Sequence, residues 1–506
     1  MFNTRPINFI IKLIAAGCLL SSLLIACKDD DKDPVNKLYS LRAMRKDLKI
    51  FRTLINDVHG NPYQFISKER FEELTDSVSG SITGSLTIRE FYNKVDFLVD
   101  QLHCTHTACF FPGPVADSLG SRPCYFPVPL IRIGDSVYLN SKGYNAPYGS
   151  AILSIDHHPM KSIVEQLNQY MHTDGISQPY KDMGVESFFA WDYYLRYGPS
   201  DSFLVAYRDA ETGERKNTIV QADSYNNIER DKTDYVYFTY DTDVPYDLQL
   251  LAGDNLAIMR INSFGQETFT QADAFSHFLE NSFSLLRLRG ITNLIIDYRN
   301  NGGGYFRSSY ELLSYFIKEP MLQFDSVTRR FTRLPYPNLV AAEDSADKLT
   351  IDTSYKDYKA ISGHRYLLLP ENTDTCFPAS IHFNGKVFVV TNGSVISAAA
   401  SSAALLKEKA GAIIVGEETG GGYNAFNSET LTYTLPNTGL QVEIPCRHYV
   451  APLTHKEYPN GVVPDYFRPL TKADFMDFND GPILFIKDTL IKGLKAAAGY
   501  DEKEKH

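Results

Sequence analysis

The stretch from Lys386 to Val415 constrains the fold of this chain most, because it has the pattern of a strand, a short loop, a helix and a second strand. Residues 386–390 form the apolar run of a buried strand, and an Ala-rich helix is predicted to begin at Ser397. Gly411 is expected to end the helix, and the apolar run 412–415 follows it. The stretch therefore predicts one unit of an α/β sheet.

Ser397 is expected at the start of this helix, above the end of the preceding strand. The first backbone N–H groups of a helix have no intrahelical acceptor, and the helix dipole is positive at that end. Such a position suits a hydroxyl nucleophile and the oxyanion that it generates. The alternative is that Ser397 is only the N-cap of the helix.

The N-terminus has the features of a secretion signal. A basic start is followed by the apolar run 13–26, which is too short and too close to the terminus for a membrane span. The sequence Leu23-Leu24-Ile25-Ala26-Cys27 resembles a bacterial lipoprotein signal, which implies a signal peptide at 1–26 and a lipid on Cys27. The acidic tether 27–36 resembles a cell-surface export signal. We expect a lipid anchor in the outer membrane, with the protein surface-exposed or otherwise periplasmic; the alternative is a soluble secreted protein.

Charge and cysteine content add two constraints. The net charge of −11 gives no argument for a nucleic-acid partner. No second long apolar run occurs, so the lipid would be the only membrane anchor. Beyond Cys18 and Cys27, five cysteines remain, so at least one is free or pairs between chains. They are Cys104, Cys109, Cys124, Cys376 and Cys446.

The patterns along the chain predict three domains. Residues 37–115 show apolar positions at helical spacing and form a small helical domain, with a capping box at Thr87–Glu90. Residues 124–225 contain short alternating segments typical of strands. Residues 235–320 and 380–495 have the α/β pattern, and 321–379 is a polar insertion with its own strands.

The β-rich domain resembles a PDZ domain at Gly149–Pro159. The match is partial, because His157 or His158 stands where a glycine is expected at the turn. PDZ domains bind extended peptides at a sheet edge. The alternative is an unrelated β-rich insert.

Two further segments carry candidate chemistry. The loop Asp297–Gly304 follows a buried strand, and its three glycines let the backbone approach a ligand. It lacks the Lys-Ser/Thr of a phosphate loop and the spacing of a dinucleotide loop, so no cofactor is expected. The segment His103–Cys109 has two His and two Cys, but the spacing is wrong for zinc and no second cluster exists, so no metal is expected. A single catalytic histidine is the better interpretation.

Four segments together resemble the C-terminal processing and tricorn-type serine peptidases. They are the histidine loop Leu102–Thr107, the strand and glycine loop Leu294–Gly304, the nucleophile segment Ser397–Ala400 with Ile414–Gly421 behind it, and the closing segment Glu457–Asp465. The order along the chain is that of the family. The resemblance implies an α+β multidomain fold with an N-terminal helical domain, a PDZ-like β-rich domain and a crotonase-like α/β (ββα) catalytic core.

The family uses either a Ser–Lys dyad or a Ser–His–Glu arrangement. The segment Thr419–Tyr423, where the dyad lysine would lie, has none. Lys407 and Lys409 are about three helical turns from Ser397, too far to reach it. The resemblance therefore implies the second arrangement, with Ser397 as nucleophile and His106 as base. The other expected site residues are Glu457 and Thr105, which orient the imidazole, and Gly302, Gly303 and Ala398, whose N–H groups form the oxyanion hole.

The expected function is a serine endopeptidase that cleaves peptides or proteins through an acyl-enzyme. Three departures from the family pattern, at Cys104, Thr105 and Ala400, leave open an inactive relative that only binds peptides. A glycan-binding protein is a third possibility, because the chain has 32 Tyr and 31 Phe. It would call for paired catalytic acids or exposed aromatic residues on strands, and neither is evident.

Overall fold

The computed structural model describes residues 33–230, 244–251, 253, 255–265, 273–344, 354–455 and 460–493. The signal peptide 1–26, the lipidation site Cys27 and most of the tether 27–36 lie outside these residues, as does Glu457. Predictions for them stay predictions. No helix within the described ranges is long and apolar enough to cross a membrane.

The N-terminal unit is helical. Its first helix buries one apolar face, and the third begins with the predicted capping box, which is confirmed by reciprocal bonds between Thr87 and Glu90. Two short strands pair with each other, and a third leaves the unit. The elements are β1 (Leu38–Tyr39), α1 (Leu41–Val58), α2 (Lys68–Ser81), β2 (Leu86–Thr87), α3 (Ile88–Asp100), β3 (Ala108–Phe110) and α4 (Gly113–Gly120).

The next unit contains an antiparallel sheet with helices inserted into it. The elements are β4 (Pro123–Tyr125), β5 (Leu130–Ile133), β6 (Ser136–Leu139), β7 (Ala151–Ile155), β8 (His158–Pro159), α5 (Met160–Leu167), α6 (Gln178–Ser187), α7 (Phe189–Tyr197), β9 (Ser202–Arg208), β10 (Arg215–Gln221), β11 (Asp223–Ser224) and α8 (Tyr225–Arg230). The strand order is β10-β9-β7-β6-β5, with β8 on β7. His157 has φ of 66°, so it takes the left-handed turn conformation where PDZ domains carry glycine.

The remaining chain supplies the α/β core and a second sheet. In chain order the elements are β12 (Tyr246–Leu251), β13 (Leu256–Ile261), α9 (Ala274–Leu288), β14 (Asn293–Asp297), α10 (Phe306–Ser314), β15 (Met321–Leu322), β16 (Ser326–Arg329), β17 (Tyr358–Ile361), β18 (Arg365–Leu368), β19 (Thr375–Cys376), β20 (Lys386–Thr391), α11 (Ser397–Ala410), β21 (Ile413–Gly416), β22 (Ala425–Thr434), β23 (Gln441–Val450), β24 (Tyr466–Phe467), α12 (Lys472–Asp477) and α13 (Gly481–Phe485), followed by a π-helical stretch at Ile486–Ile491.

The core sheet has the order β12-β13-β14-β20-β21-β24, and its strands from β13 onward are parallel. The central strands β14 and β20 are almost wholly buried, as expected for a sheet covered on both faces. Parallel strands bring their carboxyl ends to one edge. The loops after β14 and β20 therefore meet there, and these are the glycine loop and the nucleophile segment.

The second sheet has the order β17-β18-β16-β23-β22, and β3 pairs with β23. The segment 321–379 has its own strands, as predicted, but β16 is hydrogen-bonded to β23, so the segment continues a sheet of the core rather than standing apart. The pairing of Ala108 with Glu443 fixes the start of β3 on the core. The histidine loop that precedes β3 is thereby carried to this second sheet.

Candidate active site

Ser397 occupies a tight turn between strand β20 and helix α11. It is the first helical residue, it is 2% exposed, and its φ of 53° is left-handed. A residue with a β-carbon adopts this conformation at a cost of about 1–3 kcal/mol, which the surrounding contacts must offset. The N-cap position belongs to Ile396, and no side chain caps the helix. The N-cap interpretation of Ser397 is therefore wrong, and its hydroxyl is directed elsewhere.

The turn is packed against two glycines. A β-carbon at Gly303 would lie 2.7 Å from the β-carbon of Ser397, and one at Gly421 would lie 2.9 Å from the Ser397 nitrogen. Both positions therefore require glycine. Ala400 is fully buried, and its β-carbon lies 2.7 Å from the position that a Gly421 β-carbon would take.

His106 contacts the Ser397 hydroxyl. Its Nε2 lies 3.1 Å from Ser397 Oγ, and its Nδ1 lies 3.2 Å from the hydroxyl of Thr105. Because Nε2 must be unprotonated to accept the Ser397 proton, the Nδ1–H would then donate to Thr105. The structure thus brings together three of the residues expected from the sequence.

Burial sets the charge of this imidazole. His106 is 2% exposed, and burial lowers its pKa from 6.5 to about 4. The ring is therefore neutral at pH 7, the state in which it can accept a proton.

The backbone N–H groups next to Ser397 were expected to form an oxyanion hole. The Gly303 N–H already donates to Asn301 Oδ1 at 2.8 Å, so it is occupied. A β-carbon at Gly302 would meet no atom within 4 Å, so this residue borders open space. Ala398 is the second residue of α11, where helical N–H groups lack an intrahelical acceptor. Of the three expected donors, Ala398 and Gly302 fit the role.

The two lysines of α11 belong to the far end of the helix. Lys407 donates to the carbonyl of Val463 at 2.9 Å and pairs with Asp465 at 3.4 Å. This position agrees with the exclusion of a Ser–Lys dyad.

The strand-end arginine, Arg299, has a structural role. Arg299 is 6% exposed and hydrogen-bonds both oxygens of Asp297. It also hydrogen-bonds both oxygens of Asp480, in the C-terminal segment. The ion pairs tie the base of the glycine loop to the end of the chain.

Two polar residues near the site were missed by the sequence analysis. Asn301 is fully buried and bridges the Ile261 carbonyl and the Gly303 N–H. It stands in the glycine motif, so the motif could have pointed to it. Asp174 accepts the Thr105 N–H at 2.9 Å, although it lies 69 residues further along the chain. No local signal marks it.

Cys104 stands where the family has an acidic residue. The side chain is buried, burial raises its pKa to about 12, and Asn427 Nδ2 lies 3.8 Å from its sulfur. The thiol is therefore protonated at neutral pH and takes no ionic part in the site. All five cysteines of the described ranges are free and buried.

Comparison with known proteins decides the family. The sequence model described as "Peptidase family S41" matches residues 255–467, which include the glycine loop and Ser397. Residues 255–467 of the chain belong to peptidase family S41. This confirms the resemblance to C-terminal processing and tricorn-type peptidases and makes the protein a serine-type peptidase. His106 lies outside the matched segment. A search of curated protein sequences finds no match to this chain.

The fold of this S41 peptidase is also similar to solved structures. Mature CPAF complexed with lactacystin aligns with a TM-score of 0.60 and 14% identity, over 90% of this chain and 99% of that one. A mutant of CPAF aligns with a TM-score of 0.65 and 13% identity, over 89% of this chain and 97% of that one. At these identities the similarity establishes the multidomain α+β fold.

Proposed function

We propose that this S41 peptidase is a lipid-anchored serine endopeptidase in which Ser397 is the nucleophile and His106 is the base. The observation that carries the proposal is the 3.1 Å hydrogen bond between His106 Nε2 and Ser397 Oγ. The lowered pKa of His106, about 4, supports the proposal, because a neutral imidazole is available as a base at neutral pH.

Acylation begins when Ser397 Oγ attacks the carbonyl carbon of the scissile peptide bond. The hydroxyl proton passes to His106 Nε2, and the carbonyl oxygen becomes an oxyanion. The C–N bond then breaks, and the proton on Nε2 goes to the leaving amine. The products are a free amine and an ester of Ser397.

Deacylation repeats the sequence with water. His106 Nε2 takes a proton from the water, whose oxygen attacks the ester carbonyl. The bond to Ser397 Oγ breaks, and the proton returns to Oγ. A carboxylic acid leaves, and the resting state is restored without a cofactor.

Ala398 and Gly302 are the proposed donors to the oxyanion in both steps. The positive end of the 14-residue helix α11 favours negative charge at the same place. Loss of one such donor typically costs about 3 kcal/mol in the barrier.

The test uses a fluorophosphonate probe, which labels activated serine hydroxyls. Wild type is expected to be labelled and Ser397→Ala to be unlabelled. Ser401→Ala is the matched control, because Ser401 is equally buried one turn further along α11. Absence of labelling in wild type, or equal labelling of Ser397→Ala, would refute the nucleophile assignment and favour a non-catalytic peptide-binding protein. Cleavage of quenched peptides blocked at both ends tests endopeptidase activity.

The lipid anchor is proposed on the Leu23–Cys27 motif and the acidic tether that follows it. Several acyl chains hold a protein on a membrane far more firmly than one. We place the protein in the outer membrane, facing the cell surface. In the test, Cys27→Ser is expected to move the protein from the membrane fraction to the soluble fraction, and surface proteolysis of whole cells reports its orientation. Unchanged membrane association of Cys27→Ser contradicts the anchor.

A further inference from the structure

A five-residue segment of the PDZ-like unit, Thr173–Ser177, reaches the active site. We call it the clamp segment. It lies between the 3₁₀-helix Asn168–Tyr170 and helix α6. Thr173, Asp174 and Ser177 are each at most 2% exposed, although they are polar. Buried polar side chains of this kind are retained where they make specific hydrogen bonds.

One side of the clamp segment holds the histidine loop. Asp174 Oδ1 accepts the backbone N–H of Thr105 at 2.9 Å, and the Gly175 N–H donates to the carbonyl of His103 at 3.1 Å. The Thr105 hydroxyl also interacts with the Asp174 carboxylate, and this interaction lowers the carboxyl pKa against the effect of burial. The residue before His106 is therefore bound to Asp174 through its backbone, and its hydroxyl interacts with the same carboxylate.

The other side holds the loop behind the nucleophile. Asp174 Oδ2 accepts the Gly422 N–H at 3.4 Å. The hydroxyls of Thr173 and Ser177 donate to the carbonyls of Gly420 and Thr419, at 3.2 and 2.9 Å. This loop in turn packs on the Ser397 turn, because the Gly421 N–H donates to the Val395 carbonyl at 3.0 Å.

The directions of these bonds define a chain of four groups. An ionised carboxylate only accepts hydrogen bonds, so the Thr105 hydroxyl is the donor in its interaction with Asp174. Its oxygen is then left to accept the Nδ1–H of His106. The proton on Nδ1 leaves Nε2 bare, facing the Ser397 hydroxyl. Asp174 thus selects the imidazole tautomer that the proposed reaction needs.

We propose that Asp174 is a positioning residue that orients His106 through the Thr105 hydroxyl and joins the histidine loop to the loop behind Ser397. The proposal rests on the proposed function of Ser397 and His106. It adds a carboxylate from the PDZ-like unit to a site whose orienting acid was expected to be Glu457. The site is therefore complete only when this segment is docked.

The surroundings of Asp174 give the proposal a pH signature. Burial raises its pKa to about 6, against the opposing effect of the bonds from Thr105 and Gly422. The titratable groups that face it are the thiol of Cys104 and the hydroxyl of Tyr180, and both have a pKa raised to about 12. His106, with a pKa of about 4, titrates below it. Asp174 is thus the group in this cluster that changes charge near pH 6.

The decisive variant is Asp174→Asn. Each oxygen of Asp174 holds a different loop, and an amide of the same shape has one acceptor, so one N–H must lose its partner. The second-order rate of fluorophosphonate labelling is expected to fall about 10- to 100-fold, as for a small misplacement of catalytic groups. In peptide cleavage, kcat should fall while KM stays near the wild-type value.

Two further readouts separate positioning from simple destabilisation. Wild-type activity should fall as the pH is lowered through about 6, because Asp174 becomes protonated. Asp174→Asn should not show this decrease, because its amide does not titrate. Thr105→Val should lose as much rate as Asp174→Asn, Thr105→Ser should retain it, and the double variant Thr105→Val/Asp174→Asn should be no slower than either single variant.

Asp47→Asn is the matched control. Asp47 is fully buried and also accepts backbone N–H groups, those of Asn437 and Thr438, but it contacts no residue of the site. It should lower Tm without changing the labelling rate of the folded protein.

The outcomes separate this proposal from the function on which it rests. If wild type does not label, the proposed function fails. If wild type labels, and Asp174→Asn labels at the wild-type rate with an unchanged pH profile, the function stands and the role of Asp174 is overturned. A folded Asp174→Asn variant that labels slowly and shows no loss of activity near pH 6 supports the positioning role of Asp174. A comparison with Glu457→Gln shows which acid contributes more.

Discussion

Gly303 and Ser397 lie so close that a single added carbon on the glycine would be 2.7 Å from the β-carbon of the serine. The glycine also has φ of 98°, in a region that other residues rarely adopt. The loop after β14 and the turn before α11 are therefore fitted to each other at this point, and the position of the serine depends on the absence of a side chain opposite it.

Gly303→Ala is expected to reduce peptidase activity at least about 100-fold, because the new methyl group must displace the Ser397 turn. The measurement is kcat/KM on a quenched peptide, together with the labelling rate. Gly363→Ala is the control, since Gly363 has φ of 75° but open space around its missing β-carbon. It should lose only stability, about 1–3 kcal/mol. Equal activity of the two variants contradicts the packing argument.

Asn301→Ala is expected to lower kcat about 10- to 100-fold, because the buried Gly303 N–H and the Ile261 carbonyl both lose their partner and the glycine loop shifts. Steady-state kinetics on the same peptide measure it. Asn293→Ala serves as control, since Asn293 also donates to a backbone carbonyl but lies at the opposite end of β14. A normal kcat for Asn301→Ala would mean that the loop holds its shape without the amide.

Replacing Arg299 by alanine is expected to lower the free energy of unfolding by about 3–5 kcal/mol, because Asp297, 1% exposed, would remain buried without its cation. Urea denaturation measures the change. The control is Arg52→Ala, whose partner Asp76 has a side chain that is 75% exposed, and an exposed pair contributes about 0–1 kcal/mol. Similar losses of stability for both variants would show that the ion pairs of Arg299 with Asp297 and Asp480 contribute no more than an exposed pair.

The pH dependence of stability can be tested at His59, which is 1% exposed and hydrogen-bonds Thr107 in the histidine loop. Burial is the largest cause that lowers its pKa, from 6.5 to about 3. Since the folded-state pKa is depressed, its stabilising contribution is fully present above pH 6.5 and is lost as the pH falls. His59→Gln should therefore gain stability relative to wild type by about 1.4 kcal/mol per pH unit between pH 6 and 4. Denaturation at a series of pH values measures this, and a constant difference between the two proteins contradicts it.

The sequence was most informative where a physical requirement is local. The apolar run before Ser397, the small residues of its helix and the glycine that ends it all lie within thirty residues, so strand, turn and helix could be placed closely. The histidine loop was recognisable for the same reason. Its proximity to Ser397 came from the order of the family's segments, and the pairing of β3 with β23 supplies the physical cause.

Contacts between residues far apart in the chain could not be predicted from the sequence. Asp174 belongs to the site through contacts with residues 69 and 248 positions away, and nothing near it in the chain signals them. Helices α6 and α7 were not anticipated, and α6 is weakly patterned, with Gly184 packed directly on Met171. Likewise the strands of 321–379 gave no indication that β16 would pair with β23, because strand partners depend on tertiary packing.

The addition of β3 to β23 has a consequence for biosynthesis. Residues 108–110 have their partners at 441–443, so strand β3 cannot pair until nearly the whole polypeptide has been made. A nascent or clipped chain that lacks its last third has the imidazole but no hydroxyl opposite it. On the proposed mechanism such a fragment lacks the nucleophile, so we expect it to have no peptidase activity.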